Sequence, residues 1–87
     1  MPVVYIPALL RSLTGGRHAV EVEGATVRRV IDNLERAWPG LRERLLDKDR
    51  LRPNIRVAVD GRVSPLGLRA RVSATSEVHF VTAVSGG

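Results

Sequence analysis

The last two residues of the chain, Gly86 and Gly87, are the groups whose type and position could do chemistry. Glycine is about 7% of protein residues, so two glycines at a terminus arise by chance in roughly one chain in 200. Because glycine has no side chain and adopts many backbone conformations, such a tail can pass through a narrow tunnel in an enzyme. We therefore expect residues 85–87 to form a flexible tail that delivers its own α-carboxylate.

A carboxylate is inert toward nucleophiles at neutral pH until it is activated. Transfer of an adenylyl group from ATP gives a mixed anhydride with a good leaving group, and sulfide or a persulfide can then convert it to a thiocarboxylate. A partner enzyme would supply the ATP, the Mg²⁺ and the electrostatic stabilisation of the transition state. The expected product is a 1-thioglycine at Gly87, and the chain itself is predicted to be a carrier with no bound cofactor rather than an enzyme.

Other reactive groups are scarce in this sequence. It has no cysteine, which removes disulfides, thiol nucleophiles and thiolate metal ligands. Its two histidines, His18 and His79, are far apart and are not spaced as helical metal ligands. We expect His79 to be a packing or surface residue and His18 to lie at the surface, so no metal site and no catalytic pair are predicted.

Four strands are predicted from β-branched and alternating apolar residues. A short helical turn, ALLRSLT, follows Pro7 and ends at Gly15-Gly16, and Asp60-Gly61 is a hairpin turn. The strands are predicted over residues 2–6, 19–23, 55–59 and 78–84, with residues 62–63 pairing across the hairpin. Residues 47–53 are expected to form a polar loop, and residues 64–76 to be irregular or to hold a short edge strand.

One main helix is predicted after Thr26, which is a preferred N-cap residue. Apolar residues then recur at steps of three and four and make one helical face, in which Trp38 is expected to belong to the core. Pro39-Gly40 should interrupt the helix, and a further turn should follow. The face is formed by Val27, Val30, Ile31, Leu34, Trp38 and Leu41.

The last strand, VHFVTAV, is apolar on both faces, which is typical of the middle of a sheet. The first and last strands can pair in parallel, because the intervening chain supplies the long crossover that parallel pairing requires. The predicted fold class is therefore α+β, a β-grasp (ubiquitin-like) mixed sheet of about 4–5 strands with one helix on one face. Residues 1–87 are expected to form a single domain.

One helix covers only one face of such a sheet. If Val78 and Phe80 face the helix, Val81 and Ala83 lie on the open face, where exposed apolar surface beside a functional terminus would suggest partner docking. The alternative is that residues 64–76 cover this face.

The net charge of +5 raises the possibility of binding to nucleic acid. The arginines are scattered, and several have an acidic neighbour at helical spacing, as Arg28, Arg29 and Arg36 have in Asp32. With only one Tyr, one Phe and one Trp, base-stacking groups are nearly absent. A nucleic-acid partner is therefore not expected, although a basic RNA-binding module stays open as the weakest alternative. No apolar run is long enough for a membrane helix, and we expect a cytoplasmic protein without a membrane partner.

The chain resembles the MoaD/ThiS family of ubiquitin-like sulfur carriers along essentially its whole length. The matching segments are VVYIPALLRSLTGG, TVRRVIDNLERAWPGLRERLLD, NIRVAVDGR and VHFVTAVSGG. The resemblance implies that an E1-like enzyme adenylates and thiocarboxylates the terminus, with Gly87 carrying the sulfur and Gly86 giving passage. It also implies partner docking through Val81, and we extend this expectation to Ala83, Val84 and Ser85.

The opening segment and PGLRERLLD look most like the branch of the family that supplies sulfur for cysteine biosynthesis, which implies a cysteine synthase-like acceptor. The next similarity is to the small subunit of molybdopterin synthase, whose partner would be the large subunit of that enzyme. A third alternative is a ubiquitin-like protein modifier, because a lysine can attack the same adenylate to form an isopeptide bond. The sequence alone does not separate these alternatives.

Overall fold

A five-stranded mixed sheet with one main helix on one face forms the architecture of the computed structural model, which describes residues 1–82. The strands in chain order are β1 (Val3–Tyr5), β2 (Ala19–Glu21), β3 (Leu46–Asp47), β4 (Arg50–Leu51), β5 (Ile55–Val59), β6 (Arg62–Val63) and β7 (Glu77–Thr82). The α-helices are α1 (Val27–Ala37) and α2 (Leu41–Leu45), and two 3₁₀ helices span Ala8–Thr14 and Gly67–Arg69.

The main sheet has the strand order β2-β1-β7-β5-β6, so β7 is its central strand. β1 pairs with β7 in parallel, with Val4 opposite Val78, and every other pairing in the sheet is antiparallel. The predicted central position of the last strand and its parallel pairing with the first strand are both confirmed. This arrangement is the predicted β-grasp fold.

Helix α1 begins where the sequence predicts. The Thr26 side chain accepts a hydrogen bond of 3.3 Å from the backbone N–H of Arg29, which satisfies a free donor of the first turn. Ile31 and Leu34 are fully buried against the sheet, and burial of each stabilises the fold by about 1.5–3 kcal/mol. Trp38 is half-buried and packs against the same core, as predicted.

The predicted interruption at Pro39-Gly40 is also present, and one side chain organises it. The Glu35 carboxylate accepts hydrogen bonds from the backbone N–H groups of Gly40, at 3.1 Å, and Arg42, at 2.9 Å. These contacts occupy donors at the start of α2 that have no partner within the helix. The chain can therefore turn sharply between two helices while keeping Leu41 in the core, where it is 1% exposed.

The predicted polar loop over residues 47–53 is wrong, because this segment contributes to a second, two-stranded sheet. β3 and β4 pair antiparallel, with Leu46 opposite Leu51. Lys48 and Asp49 form the connecting turn, with φ values of 50° and 64°. A two-residue turn of this kind usually contains glycine or asparagine, so the Lys-Asp pair carries no recognisable hairpin signal.

Residues 64–76 are largely irregular, in agreement with the first of the two predictions for this segment. They contain the second 3₁₀ helix and a single bridge between Arg71 and Thr26. Ala70 and Val72 are buried in the core on the helix side of the sheet. The segment therefore packs beside α1, and the alternative in which it covers the open face of the sheet is wrong.

The Asp60-Gly61 turn between β5 and β6 has the predicted hairpin form, with φ values of 52° and 82°. The Asp60 carboxylate accepts hydrogen bonds of 2.9 Å from the Ser76 hydroxyl and from the backbone N–H of Glu77. Ser76 is 2% exposed, so its hydroxyl needs such a partner. These bonds fix the start of β7 relative to β5.

Candidate partner-docking face

The face of the main sheet that points away from α1 carries Val81, one of the residues predicted for partner docking. Val78 and Phe80 point into the core and are 0% and 5% exposed. Because side chains alternate along a strand, His79 and Val81 point to the opposite, open face. The sequence left the register of β7 undecided, and in the structure this register exposes Val81.

A row of side chains crosses this open face from one edge strand to the other. Tyr5 on β1 lies opposite Ala19 on β2 and His79 on β7, and His79 in turn lies opposite Ala58 on β5. Ala58 lies opposite Val63 on β6. The alternation that buries Val4 and Ile6 also places Tyr5 on the open face, so sequence analysis could have included Tyr5 but did not.

Tyr5 and His79 form a stacked aromatic pair at the centre of this row. Their ring centroids are 4.2 Å apart and their planes differ by 4°. Neighbouring strands in parallel register hold the two rings side by side, and aromatic stacking adds to the burial of each ring. His79 is therefore a packing residue, as predicted, and His18 is exposed, as predicted.

Val81 is 47% exposed and lies opposite Arg56 of β5. Val63, on the edge strand β6, is 57% exposed, and the sequence analysis did not single it out. The same face holds the half-buried Tyr5 and His79 and the buried Ala58. Exposed apolar side chains that share one face of a sheet are typical of a protein interaction site. We call the set formed by Tyr5, Ala58, Val63, His79 and Val81 the open-face patch.

The open-face patch lies beside the end of the sheet from which the C-terminal residues continue. Thr82, the last described residue, is still paired with Ile55. Since β1 and β7 are parallel, the 3₁₀ helix after β1 begins at this same end, and its Leu9 side chain is 83% exposed. Val81 is the one predicted site residue that lies within the described part of the chain. Outside it lie Ala83, Val84, Ser85, Gly86 and Gly87.

Other kinds of site find little support in the described part of the chain. Residues 1–82 contain no group of three or more histidine, aspartate or glutamate side chains arranged to hold a metal ion. None of the helices among these residues has the length and apolar character that crossing a membrane requires.

Comparison with known proteins gives a consistent result. The model of the ThiS family matches residues 4–87. The sulfur carrier protein CysO of Mycobacterium tuberculosis is 36% identical over 90 residues, which cover 97% of this chain and 96% of that protein. The CysO chain solved in the Amycolatopsis orientalis BexX/CysO complex superposes with a TM-score of 0.93 at 36% identity, with 100% of both chains covered.

A protein named as a modifier is also similar. The small archaeal modifier protein 1 of H. volcanii superposes with a TM-score of 0.76 at 29% identity, over 95% of this chain and 97% of that chain. The fold is therefore shared between proteins named as sulfur carriers and a protein named as a modifier.

Proposed function

The chain belongs to the ThiS family, and on this premise we propose that it is a sulfur carrier that works through the carboxylate of Gly87. The observation that carries the proposal is the match to CysO along nearly the whole of both proteins. The family match also extends through Gly86 and Gly87, the two residues whose backbone can enter a narrow active site.

The carboxylate of Gly87 is converted to a thiocarboxylate in two steps. A carboxylate oxygen of Gly87 attacks the α-phosphorus of ATP, and pyrophosphate leaves to give an acyl-adenylate. Hydrosulfide then attacks the acyl carbon, AMP leaves, and the product is a thiocarboxylate. An E1-like partner binds ATP and Mg²⁺ and stabilises the charge that develops on phosphorus, so the carrier is the substrate of that enzyme.

The open-face patch is the surface through which we propose that this partner holds the carrier. The patch and the terminus belong to the same strand and its continuation, so docking on β7 brings the tail toward the partner's active site. The similarity to CysO favours a cysteine synthase-like enzyme as the sulfur acceptor. Because activation consumes ATP, we place this reaction in the cytoplasm.

The direct test is the intact mass of the carrier after incubation with a cognate activating enzyme, ATP, Mg²⁺ and sodium sulfide. We expect the mass to rise by the difference between one sulfur and one oxygen atom, with fragmentation locating the change at Gly87. A matched incubation without ATP should leave the carboxylate unchanged. If the mass also stays unchanged with every component present, the proposed function is wrong.

A second test of the proposed function uses a substitution in the open-face patch. Val81→Asp should weaken binding to the activating enzyme about tenfold or more, because it places a desolvated charge in an apolar contact. The same substitution should leave thermal unfolding nearly unchanged, since Val81 is 47% exposed. Binding and unfolding can be measured by isothermal titration calorimetry and circular dichroism.

Ala74→Asp is the matched control for Val81→Asp, because Ala74 is exposed in the segment that packs beside α1 and not on the open face. It makes the same change of charge and should leave binding within about twofold of the wild type. Equal binding by the Val81→Asp variant and the wild type would remove Val81 from the docking surface.

A protein modifier is the second candidate function, favoured by the similarity to small archaeal modifier protein 1. The two functions share the acyl-adenylate and differ in the nucleophile, which is a lysine amine in conjugation. Immunoblotting of extracts from the native host distinguishes them. A ladder of high-mass bands that carry the protein would indicate conjugation, and a single band with a thiocarboxylate would indicate sulfur transfer alone.

A further inference from the structure

A groove with a positively charged rim lies on the opposite side of the molecule from the open-face patch. It has a volume of about 370 Å³ and is formed by α1, the β3–β4 hairpin and the second 3₁₀ helix. None of its lining residues belongs to the five-stranded sheet. A molecule bound in it would leave the open-face patch free.

The rim of the groove carries three arginines, Arg28, Arg50 and Arg69, and one carboxylate, Asp49. Asp49 is already engaged, because its Oδ1 lies 3.3 Å from the Arg28 guanidinium and 3.4 Å from that of Arg42. Arg50 and Arg69 are exposed and make no ion pair among residues 1–82. Asp47 lies opposite Arg50 in the β3–β4 pair but makes no ion pair with it among the described residues, so the lining of the groove, with three arginines and one carboxylate, has a net positive charge.

The floor of the same groove is apolar. Leu51 and Leu68 are half-buried and pack against the core while still lining the groove. Gly67 also lines the groove, with φ of 55°, and a Cβ there would lie 3.7 Å from a methyl carbon of Leu51. The positive φ favours glycine at position 67, where the backbone lies close to the side chain of Leu51.

We propose that this groove binds an acidic segment of a partner protein, with carboxylates on the arginine rim and an apolar side chain on the leucine floor. Arginine pairs with carboxylates through two parallel hydrogen bonds, which suits the exposed guanidinium groups of Arg50 and Arg69. A free phosphate would make no use of the leucines. Nucleic acid fits less well, because no aromatic residue lines the groove to stack on a base.

Binding in the groove is separate from sulfur transfer and does not depend on activation of Gly87. The open-face patch and the groove lie on separate layers, so one partner can hold the carrier at both surfaces, or two partners can bind at once. Such a second contact would raise the affinity of a complex by increasing the effective concentration of the tail at its target.

The test uses the full chain and a short fluorescein-labelled peptide of glutamate and leucine, with binding followed by fluorescence anisotropy. The double variant Arg50→Glu/Arg69→Glu should bind the peptide about tenfold more weakly or worse, because two attractive pairs become repulsive. The matched control Arg17→Glu/Arg62→Glu makes the same change of net charge at exposed sites outside the groove. It should change the affinity by no more than about twofold at physiological ionic strength, where distant charges are screened.

The leucine floor is tested separately. Replacing the leucines of the peptide by serine should weaken binding about fivefold, because the apolar contact is lost. In ¹⁵N-edited NMR spectra of the wild type, the peptide should shift the amide signals of Arg50, Leu51 and Leu68 while leaving those of Tyr5 and Val81 in place.

Four results would overturn the proposal. The first is that the wild type does not bind the peptide, and the second is that the two double variants lose the same affinity for it. The third is that the peptide shifts mainly the amide signals of the open-face patch. The fourth is that inorganic phosphate or polyuridylate, used as the probe, binds in the groove more tightly than the peptide. The last result would assign the groove to a free anion or to RNA.

Discussion

Under the proposed function, adding a single glycine after Gly87 is expected to abolish adenylation of the chain by its activating enzyme. The extra residue can move the α-carboxylate by up to about 3.6 Å relative to the docked domain. A displacement of about 1 Å of a reacting group can cost roughly 100-fold in rate, so we expect a loss of at least that size. ATP–pyrophosphate exchange in the presence of the carrier measures this step directly.

The extension keeps the glycine composition of the tail, so its effect can be attributed to the position of the carboxylate. One glycine added before Met1 is the matched control, because Met1 is 59% exposed and the addition has the same mass. Both variants should unfold at the temperature of the wild type. Exchange at the wild-type rate with the extended tail would contradict the terminal-carboxylate mechanism, although it would leave the arginine-rimmed groove untouched.

Replacing Gly24 by alanine will be among the most destabilising single substitutions in the chain. Gly24 joins β2 to α1 with φ of 155°, and a Cβ there would lie 2.7 Å from both the backbone nitrogen and a methyl carbon of Val30. Val30 cannot move easily, since its side chain is fully buried and its N–H donates a hydrogen bond of 3.0 Å to Thr26. The first turn of α1 would therefore have to shift.

We expect Gly24→Ala to lower the free energy of unfolding by about 3 kcal/mol, which for a domain of this size lowers Tm by roughly 12–24 °C. Gly16→Ala is the control, because Gly16 also has a positive φ of 86° but a Cβ there would meet no atom within 4 Å. It should cost only the backbone strain, about 1 kcal/mol. Equal losses in the two variants, measured by urea denaturation, would show that the contact with Val30 is not the cause.

The elements that position the site could be predicted because their signals are local. Thr26 followed by apolar residues at helical spacing defines α1, and the doubly apolar last strand defines the centre of the sheet. The register of β7 could not be decided in this way, because both of its faces are apolar. It depends on pairing with β5, where Phe80 lies opposite Val57, a contact between residues far apart in the sequence.

The groove could not be predicted for the same physical reason. Its residues come from three separate segments of the chain, which the β3–β4 hairpin and the second 3₁₀ helix bring together beside α1. Asp32 has Arg28, Arg29 and Arg36 at helical spacing, yet the ion pairs of Asp32 and Arg28 are with residues outside α1. Asp32 lies 3.6 Å from Arg42, and Arg28 pairs with Asp49 of the hairpin turn.

The central position of β7 has a consequence for how the protein is made. Synthesis on the ribosome produces β7 after all the other strands, yet β7 supplies the link between the β1–β2 pair and the β5–β6 pair. An unfinished chain lacks this link, and pairing between β1 and β7 must close a loop of some seventy residues, which makes folding depend on distant contacts. The open-face patch thus forms only when the strand that precedes the C-terminal residues has been inserted, so a partner that binds the patch would select chains that have finished folding.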